Sequence, residues 1–509
     1  MQLRTTQPAA ARPLHQALAL VLCVGGLLLR LWAVPPEVGD IDSVNLARGL
    51  AHFDVFAQAP HFPGYPVLIA AGTLLRELGV ERPVWALSLP GILLFPVAGW
   101  LLFSTLRWRL SPAAALGALA VAALSPACVL AGGWPASDGL GLSLLMLGWG
   151  LLLHRASGRA ALGWLLLGLL LGVRLSWWPL VAASAALWLL VRRPLAPAFA
   201  LGSAGIALWL VPMLARFGAG PLFELATGFT EGHVYEFGGS ALAAGASAPG
   251  ARLLRLLWGL WDGGFGGLWP AEIPQGAGAL GEHGLIALPI SALCLAALWR
   301  MLRTGGLGAW SAADGKRFAF GVLLFAPYLL WLLGFQNVQK LRHLTPLLLP
   351  IGALLSMALS TSGHRARWSA LLLPLSLLAV ALPRALEQGQ RSAPGLALMQ
   401  YVQAQRAPDR LLIFAGPEAR LFEHLAPSYR VLRAVDGEIV EREARRAAAQ
   451  GVEVWLSSSA PGFVELSTEL TWLAEFTATP SVRPHESGVA LARFVPQQPT
   501  LVSRVEALP

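Results

Sequence analysis

The stretch GDIDSVNLARGLAHFDVFAQAPHFPGYP, Gly39 to Pro66, decides how the rest of the chain is read. It sets Asp40, Asp42, Asp54 and His61 directly behind Ala17 to Val34, a run that is apolar apart from Arg30. Comparable apolar runs recur as far as Leu382. The first is therefore read as an uncleaved membrane span behind Arg4 and Arg12, not as a secretory signal. Only 13% of the 509 residues are charged, against about a quarter in soluble domains. With a mean hydropathy of +0.60, the expected fold class is a polytopic α-helical membrane protein.

The formal charge of +9 does not point to nucleic acid, because the basic residues stand in short loops between apolar runs and not in aromatic-flanked patches. Cys23, Cys128 and Cys294 all lie inside apolar segments without metal-ligand spacing. Neither a disulfide framework nor a zinc site is expected from them.

A span takes roughly 20 apolar residues, and an excess of Lys and Arg in short loops marks the cytoplasmic side. Spans are read near Ala17 to Val34, Val84 to Leu106, Pro112 to Gly133, Gly139 to Leu153, Ala160 to Val173 and Trp177 to Val191. Others follow at Ala196 to Ala215, Gly284 to Leu302, Phe318 to Phe335, Leu344 to Ser360 and Trp368 to Leu382, giving about eleven, some of them short. Tyr65 to Leu75 is apolar enough for a further span. If it crossed, the basic loops Arg107 to Arg109, His154 to Arg159 and Val191 to Pro194 would all lie outside; as an interfacial helix it leaves them inside. The expected arrangement is a multi-pass protein of the inner (plasma) membrane with its N-terminus cytoplasmic. Polar loops then gather on the outer face, notably 35–83, the segment around Asp138, the segment around Arg174, 216–283, and QNVQKLRH before the tenth span.

Residues 1–385 are read as this membrane module. In 386–509 the composition changes: LLIFAG (Leu411 to Gly416), RVLRAV (Arg430 to Val435), VEVWLS (Val452 to Ser457) and VALARF (Val489 to Phe494) read as strands separated by charged helical stretches. That pattern suggests a small extracytoplasmic α/β domain. No glycine-rich phosphate loop follows any of these strands, so no catalysis is assigned to it.

Ionisable residues within or beside spans are costly and need a reason. On this topology Arg30, Asp40, Asp42, Asp138, Arg174, Lys340, Arg342 and His343 all fall at the outer rim. Each also has a plainer explanation. Arg30 can snorkel to headgroups, Asp138 can cap the helix starting at Gly139, and Lys340 and Arg342 can bind anionic lipid. Asp54 reads as a solvated loop residue, and His61 can brace the turn at FPGYP. Asp42 precedes SVNLARGL, an amphipathic segment with Val44, Ala47 and Leu50 on one side, and can itself be its N-cap. Capping leaves the neighbouring Asp40 unexplained.

DSVNLARGL followed by PHFPGYPV resembles the first outer loop of the GT-C membrane glycosyltransferases, nearest to the protein O-mannosyltransferase and lipid A aminoarabinose transferase group. Arg30 at the end of the first span, LSPACVLAGGWPASDG, GLLLGVRLS with Arg174, and KLRHLTPLLLP are similar in the same order. The resemblance covers roughly Leu27 to Pro350. Many relatives have Asp-Glu where this chain has Asp42-Ser43, and two prolines where it has Phe62-Pro63.

The resemblance implies transfer of a sugar from a polyprenyl-phosphate donor to an acceptor at the outer, periplasmic face. Asp42, Asp40 and Asp138 are then the candidate catalytic carboxylates, with Asp42 first as the base for the acceptor hydroxyl. Arg30, His61, Tyr65, Arg174, Lys340, Arg342 and His343 are the candidate substrate-binding residues, the cations facing the lipid phosphate. Leu253 to Trp269, LLRLLWGLWDGGFGGLW, would form the rim of the cavity, its tryptophans serving chiefly as interfacial anchors. No cofactor is firmly implied. Asp40-Ile41-Asp42 has the Asp-x-Asp form of nucleotide-sugar enzymes, but a lipid monophosphate carries no diphosphate for a divalent metal to neutralise. The partners expected are the lipid-linked donor, an acceptor of protein, lipid or glycan, and membrane lipids, with no nucleic acid. A flippase for a lipid-linked sugar is the second reading; it is disfavoured because transporters carry polar groups at mid-membrane and paired repeats. A polysaccharide polymerase or ligase lies close to the first reading, and a scaffold with a partner-binding outer domain is a third.

Overall fold

The computed structural model describes residues 11–154, 157–190, 196–236, 239–243, 246–266, 292, 295, 312–360, 365–433, 436–477 and 488–496. The chain divides into two compact units, one of Met1–Val38 with Asn45–Arg391, the other of Gly39–Val44 with Ser392–Pro509. The second unit thus includes a short piece of the first outer loop, which the sequence reading placed wholly in the membrane module.

The first unit is helical. Among the described residues, Pro13–Trp32, Pro83–Trp108 and Ala198–Phe217 are long and apolar enough to cross a membrane. Their outward faces carry large apolar side chains, with Val21 66%, Val97 58% and Phe199 78% exposed, as lipid contact requires. Pro112–Leu124 and Pro126–Gly133 form a fourth span only if counted as one pair, bent by 49°. Ser137–Leu152, Gly158–Val173, Leu175–Leu190, Phe320–Phe335 and Leu341–Met357 are apolar but shorter. The expected count of about eleven spans is therefore not reached by full-length helices among these residues. The run Gly284 to Leu302 lies outside them apart from 292 and 295. The helix Pro66–Glu77 has 12 residues and at about 18 Å is too short to cross a hydrocarbon core.

Where Pro112 to Gly133 was expected as one span, the chain breaks at Ser125, which is extended (φ −62, ψ 132). Pro126 opens the next helix and has no N–H to give the Ala122 carbonyl, so a helical acceptor is left over inside an apolar unit. The helices pack through small residues, which let backbones approach. A Cβ on Gly91 would collide with the Leu140 nitrogen, and one on Gly168 with the Gly202 carbonyl.

The second unit holds a five-stranded sheet in the order β2-β1-β3-β5-β4, with β1 Leu411–Phe414, β2 Arg430–Leu432, β3 Glu453–Ser457, β4 Leu470–Phe476 and β5 Val489–Phe494. β1 pairs in parallel with β2 and β3, whereas β5 runs antiparallel to β3 and β4. Leu412, Phe414, Val454 and Leu456 pack against Val440, Ala444 and Ala447 of the helix Gly437–Ala449. Tyr401, from the helix Pro394–Gln405, lies 6.4 Å from Trp455 and 5.6 Å from Phe476. The four strands expected from sequence are present; β4 is additional.

Candidate active site

The helix Ile41–Ala51 begins one residue before Asp42, so Asp42 is not its cap. Asp40 is. Its Oδ1 accepts from the Ser43 N–H at 2.6 Å, the Ser43 hydroxyl accepts from the Asp40 N–H at 3.1 Å, and the Asp40 carbonyl takes the first helical bond from Val44 at 2.9 Å. This is a reciprocal capping box in which serine stands in place of the usual Glu or Gln. Two carboxylates that look equivalent in sequence therefore differ: Asp40 fixes the start of the helix, and Asp42 sits on its first turn. Asp54 is likewise a turn residue, accepting from the Phe56 and Ala57 N–H groups at 2.9 and 3.2 Å.

Arg30 is 2% exposed and does not snorkel. Its Nη2 donates to the Ala122 carbonyl at 2.6 Å, and Nη1 to Gly26 at 2.9 Å and Ala123 at 3.3 Å. The guanidinium lies 3.7 Å from the Phe95 ring centroid. It supplies the donor that Pro126 lacks, and this is a structural assignment rather than the substrate contact expected.

Asp138 and Arg174 come together. Arg174 Nη1 lies 2.7 Å from Asp138 Oδ1 with both side chains buried, and donates to the Ser137 hydroxyl at 3.0 Å. The N-cap of the helix Ser137–Leu152 is Ala136, so the capping explanation of Asp138 does not hold. The pair is close but incompletely bonded: neither Asp138 oxygen has a hydrogen bond of good geometry among the described residues, nor does Arg174 Nε. Arg174 also lies 5.4 Å from the Trp177 ring. Tyr328, buried nearby, donates to the His343 carbonyl at 2.8 Å and feels the charges of Arg174 and Asp138. The His343 ring feels Arg174, Arg342 and Lys340 together. Five of the candidate residues, Asp138, Arg174, Lys340, Arg342 and His343, thus belong to one electrostatic neighbourhood.

His61 and Tyr65 form a second cluster. His61 Nε2 lies 2.9 Å from the Tyr65 hydroxyl. Tyr65 caps the helix Pro66–Glu77 in the left-handed region at φ 48, ψ 45, a conformation that costs a bulky residue on the order of 1–2 kcal/mol and persists only where its surroundings impose it. Phe229 stacks between His61, at 6.0 Å, and His233, at 6.4 Å. The His233 Nε2–H in turn donates to the Phe335 carbonyl at 2.8 Å.

The rim segment is a helix, Pro249–Trp258, running into a π-helical turn at Gly259–Gly264; its last residues, from 267, lie outside those described. Leu253, Leu254 and Leu257 are exposed on it. Sequence reading did not single out Ser137, Trp177, Tyr328, Phe229, His233 or Arg252. Tyr328 alone carried a signal, a hydroxyl in the middle of an apolar run. Among the described residues, no three His, Cys, Asp or Glu side chains converge to hold a metal.

The chain matches no protein-family model and no protein of curated function. Among solved structures it is similar to ArnT from Cupriavidus metallidurans bound to undecaprenyl phosphate, over 97% of this chain and 100% of that one, at 12% identity and a TM-score of 0.51. The apo state of the same ArnT aligns over 94% and 98% at 13% identity and a TM-score of 0.46. The Archaeoglobus fulgidus oligosaccharyltransferase, in complex with Zn and sulfate, aligns over 92% and 72% at 12% identity and a TM-score of 0.44. At such identity the ArnT likeness shows the fold alone: this chain shares the overall fold of that ArnT over nearly the whole of both chains.

Proposed function

We propose that this GT-C-fold chain is a membrane glycosyltransferase that moves a sugar from a polyprenyl-phosphate donor to an acceptor at the outer, periplasmic face. The observation that carries the reading is the buried, incompletely bonded Asp138–Arg174 pair in the same electrostatic neighbourhood as Lys340, Arg342 and His343. A site that must receive a lipid phosphate needs fixed cations at the place where negative charge develops.

In the reaction the acceptor oxygen bonds to the anomeric carbon while the bond from that carbon to the phosphate oxygen breaks. The acceptor proton goes to a carboxylate, and the electron pair leaves with the polyprenyl phosphate. Asp42 is the base. Asp40, already engaged by the capping box, sets the helix start and hence the Asp42 position. Arg174, held by Asp138, acts with Lys340 and Arg342 on the departing phosphate. His61 and Tyr65 bind at the edge of the site.

The test uses purified protein in lipid with radiolabelled polyprenyl-phosphate sugars. Asp42→Asn in folded protein should lower transfer by about 100-fold or more. Undiminished turnover in that variant would remove Asp42 as base. Absence of turnover with any donor would remove the reaction, and transport of the donor across vesicles would then be measured for the flippase reading.

A further inference from the structure

The helix Ala312–Phe335 ends in Gly334-Phe335, just before Gln336-Asn337. A helix leaves its last four carbonyls without helical donors. Here Leu332 accepts from the Gln336 N–H at 3.3 Å. The other three are met by residues far earlier in the chain. Arg252 Nε donates to Leu333 at 2.8 Å. The Ser240 hydroxyl at 3.2 Å and the Ala241 N–H at 2.8 Å serve Gly334. His233 serves Phe335 at 2.8 Å. Arg252 Nη2 then reaches past the helix end to the Gln336 carbonyl at 2.8 Å and back to Gly239 at 3.1 Å. Arg252 is 5% exposed, so these bonds are made away from solvent, where their loss is felt most.

The chain beyond this end is equally fixed. The Asn337 carbonyl accepts from His343 Nδ1–H at 3.0 Å, and Tyr328 holds the His343 carbonyl. Between these two anchors stand Lys340 and Arg342.

We infer that Arg252 and His233 are positioning residues: they set where the helix Ala312–Phe335 ends, and so where Lys340 and Arg342 stand relative to the donor phosphate. The inference rests on the assignment of those two cations to the phosphate made above. In its described residues the segment 219–264 bears directly on this helix end. It terminates the helix from outside, and the interaction is directional: a lysine at 252 offers one point of donation where the guanidinium spans carbonyls on both sides of the helix end.

The experiment uses the full chain in lipid nanodiscs with two readouts. Hydrogen exchange of residues 336–344 reports the loop, and binding of undecaprenyl phosphate alone reports the cations. His233→Phe keeps a ring against Phe229 but removes the N–H, and should speed exchange there about fivefold, the equivalent of one hydrogen bond. Arg252→Lys should speed it about tenfold or more. His233→Gln, which restores a donor, should return exchange toward the wild type. Undecaprenyl phosphate should bind more weakly in His233→Phe and Arg252→Lys, and in Lys340→Gln with its loop unchanged. A variant that is merely less stable would lower the amount of competent protein without changing the dissociation constant. Unchanged exchange at 336–344 in both His233→Phe and Arg252→Lys overturns the inference, as does faster exchange with unaltered affinity when Lys340→Gln weakens binding. If the wild type does not bind undecaprenyl phosphate, or Lys340→Gln binds it as well as the wild type, the assignment of the cations is what fails.

Discussion

Arginine is used in two ways in the two units of this molecule. In the α/β unit it meets carboxylates at the surface: Arg406 and Glu453 at 2.8 Å, and Arg445 with Glu441 at 2.9 Å and Glu469 at 2.7 Å, the guanidinium side chains 44–48% exposed. In the helical unit Arg30 and Arg252 are buried and donate to backbone carbonyls that helix ends have freed, Arg30 at Ala122 and Ala123, Arg252 at Leu333 and Gln336. Water explains the difference. A solvated guanidinium gains little from one more carboxylate, whereas inside an apolar bundle an unmatched carbonyl and an unmatched cation are both costly, and each answers the other. Buried charge in the helical unit is therefore built into the architecture, and surface charge in the α/β unit is nearly dispensable.

The largest effect should come from Asp138 and Arg174, a buried pair of opposite charge in the candidate site. Asp138→Asn leaves the guanidinium without a counter-charge and should cost about 3–5 kcal/mol of stability. The double variant Asp138→Leu/Arg174→Met should recover most of that, because a well-packed apolar pair replaces an ion pair at little net cost. Chemical denaturation of the purified protein in detergent measures both. A single-variant loss no greater than about 1 kcal/mol would put this pair in the class of surface bridges and erase the contrast.

Arg30 sharpens the contrast from the other side, since its acceptors are backbone alone. Arg30→Leu leaves the Ala122 and Ala123 carbonyls without their donor and should destabilise by about 1.5–3 kcal/mol, the range for bonds to charged groups. In that background Pro126→Ala supplies an amide that lets the helix run on through Ser125, and should return about 1 kcal/mol. The same denaturation series decides it. Failure of Pro126→Ala to recover anything would mean that Arg30 acts through its contact with Phe95 and not as a replacement donor.

These residues also show how much of the molecule could be seen in the sequence. The apolar runs, the Asp138 and Arg174 candidates and four of the five strands were legible because each depends on local composition or on an ionisable group where none should be. β4 was not: Leu470 to Phe476 interleaves Thr, Trp, Ala and Glu without a clean alternation, and its place is set by pairing with β5. The break at Ser125 is not foreseen in the reading of Pro112 to Gly133 as one span, and the donor for the freed Ala122 carbonyl lies 92 positions before it, a distance that no local pattern spans. Which of Asp40 and Asp42 caps the helix was not legible for a similar reason. Either could cap the following helix, and the bond between Asp40 and Ser43 chose. The count of about eleven spans is not confirmed: among the described residues three helices are by themselves long and apolar enough to cross, and one expected span is broken at Ser125.

The smallest effect should appear in the α/β unit and should depend on pH. Partial burial pushes the Glu453 carboxyl up, but bonds from Arg406 and Trp455 and the charges of Arg406 and Arg493 outweigh it, and the group is held below the usual carboxylate range. The unfolded chain then takes up a proton at Glu453 before the folded one does. The stabilisation is complete above the ordinary glutamate value of about 4.3 and is lost as pH falls through the lower folded value. Hydrogen-exchange protection of Glu453–Ser457, corrected for intrinsic rates, should fall between neutral and acid pH by more in the wild type than in Glu453→Gln. Equal falls in the two would show that the pair contributes nothing to this strand. A fall as large as the Asp138→Asn loss would mean that a half-exposed ion pair can matter as much as a buried one, and solvent exposure would no longer explain why the two units use arginine differently.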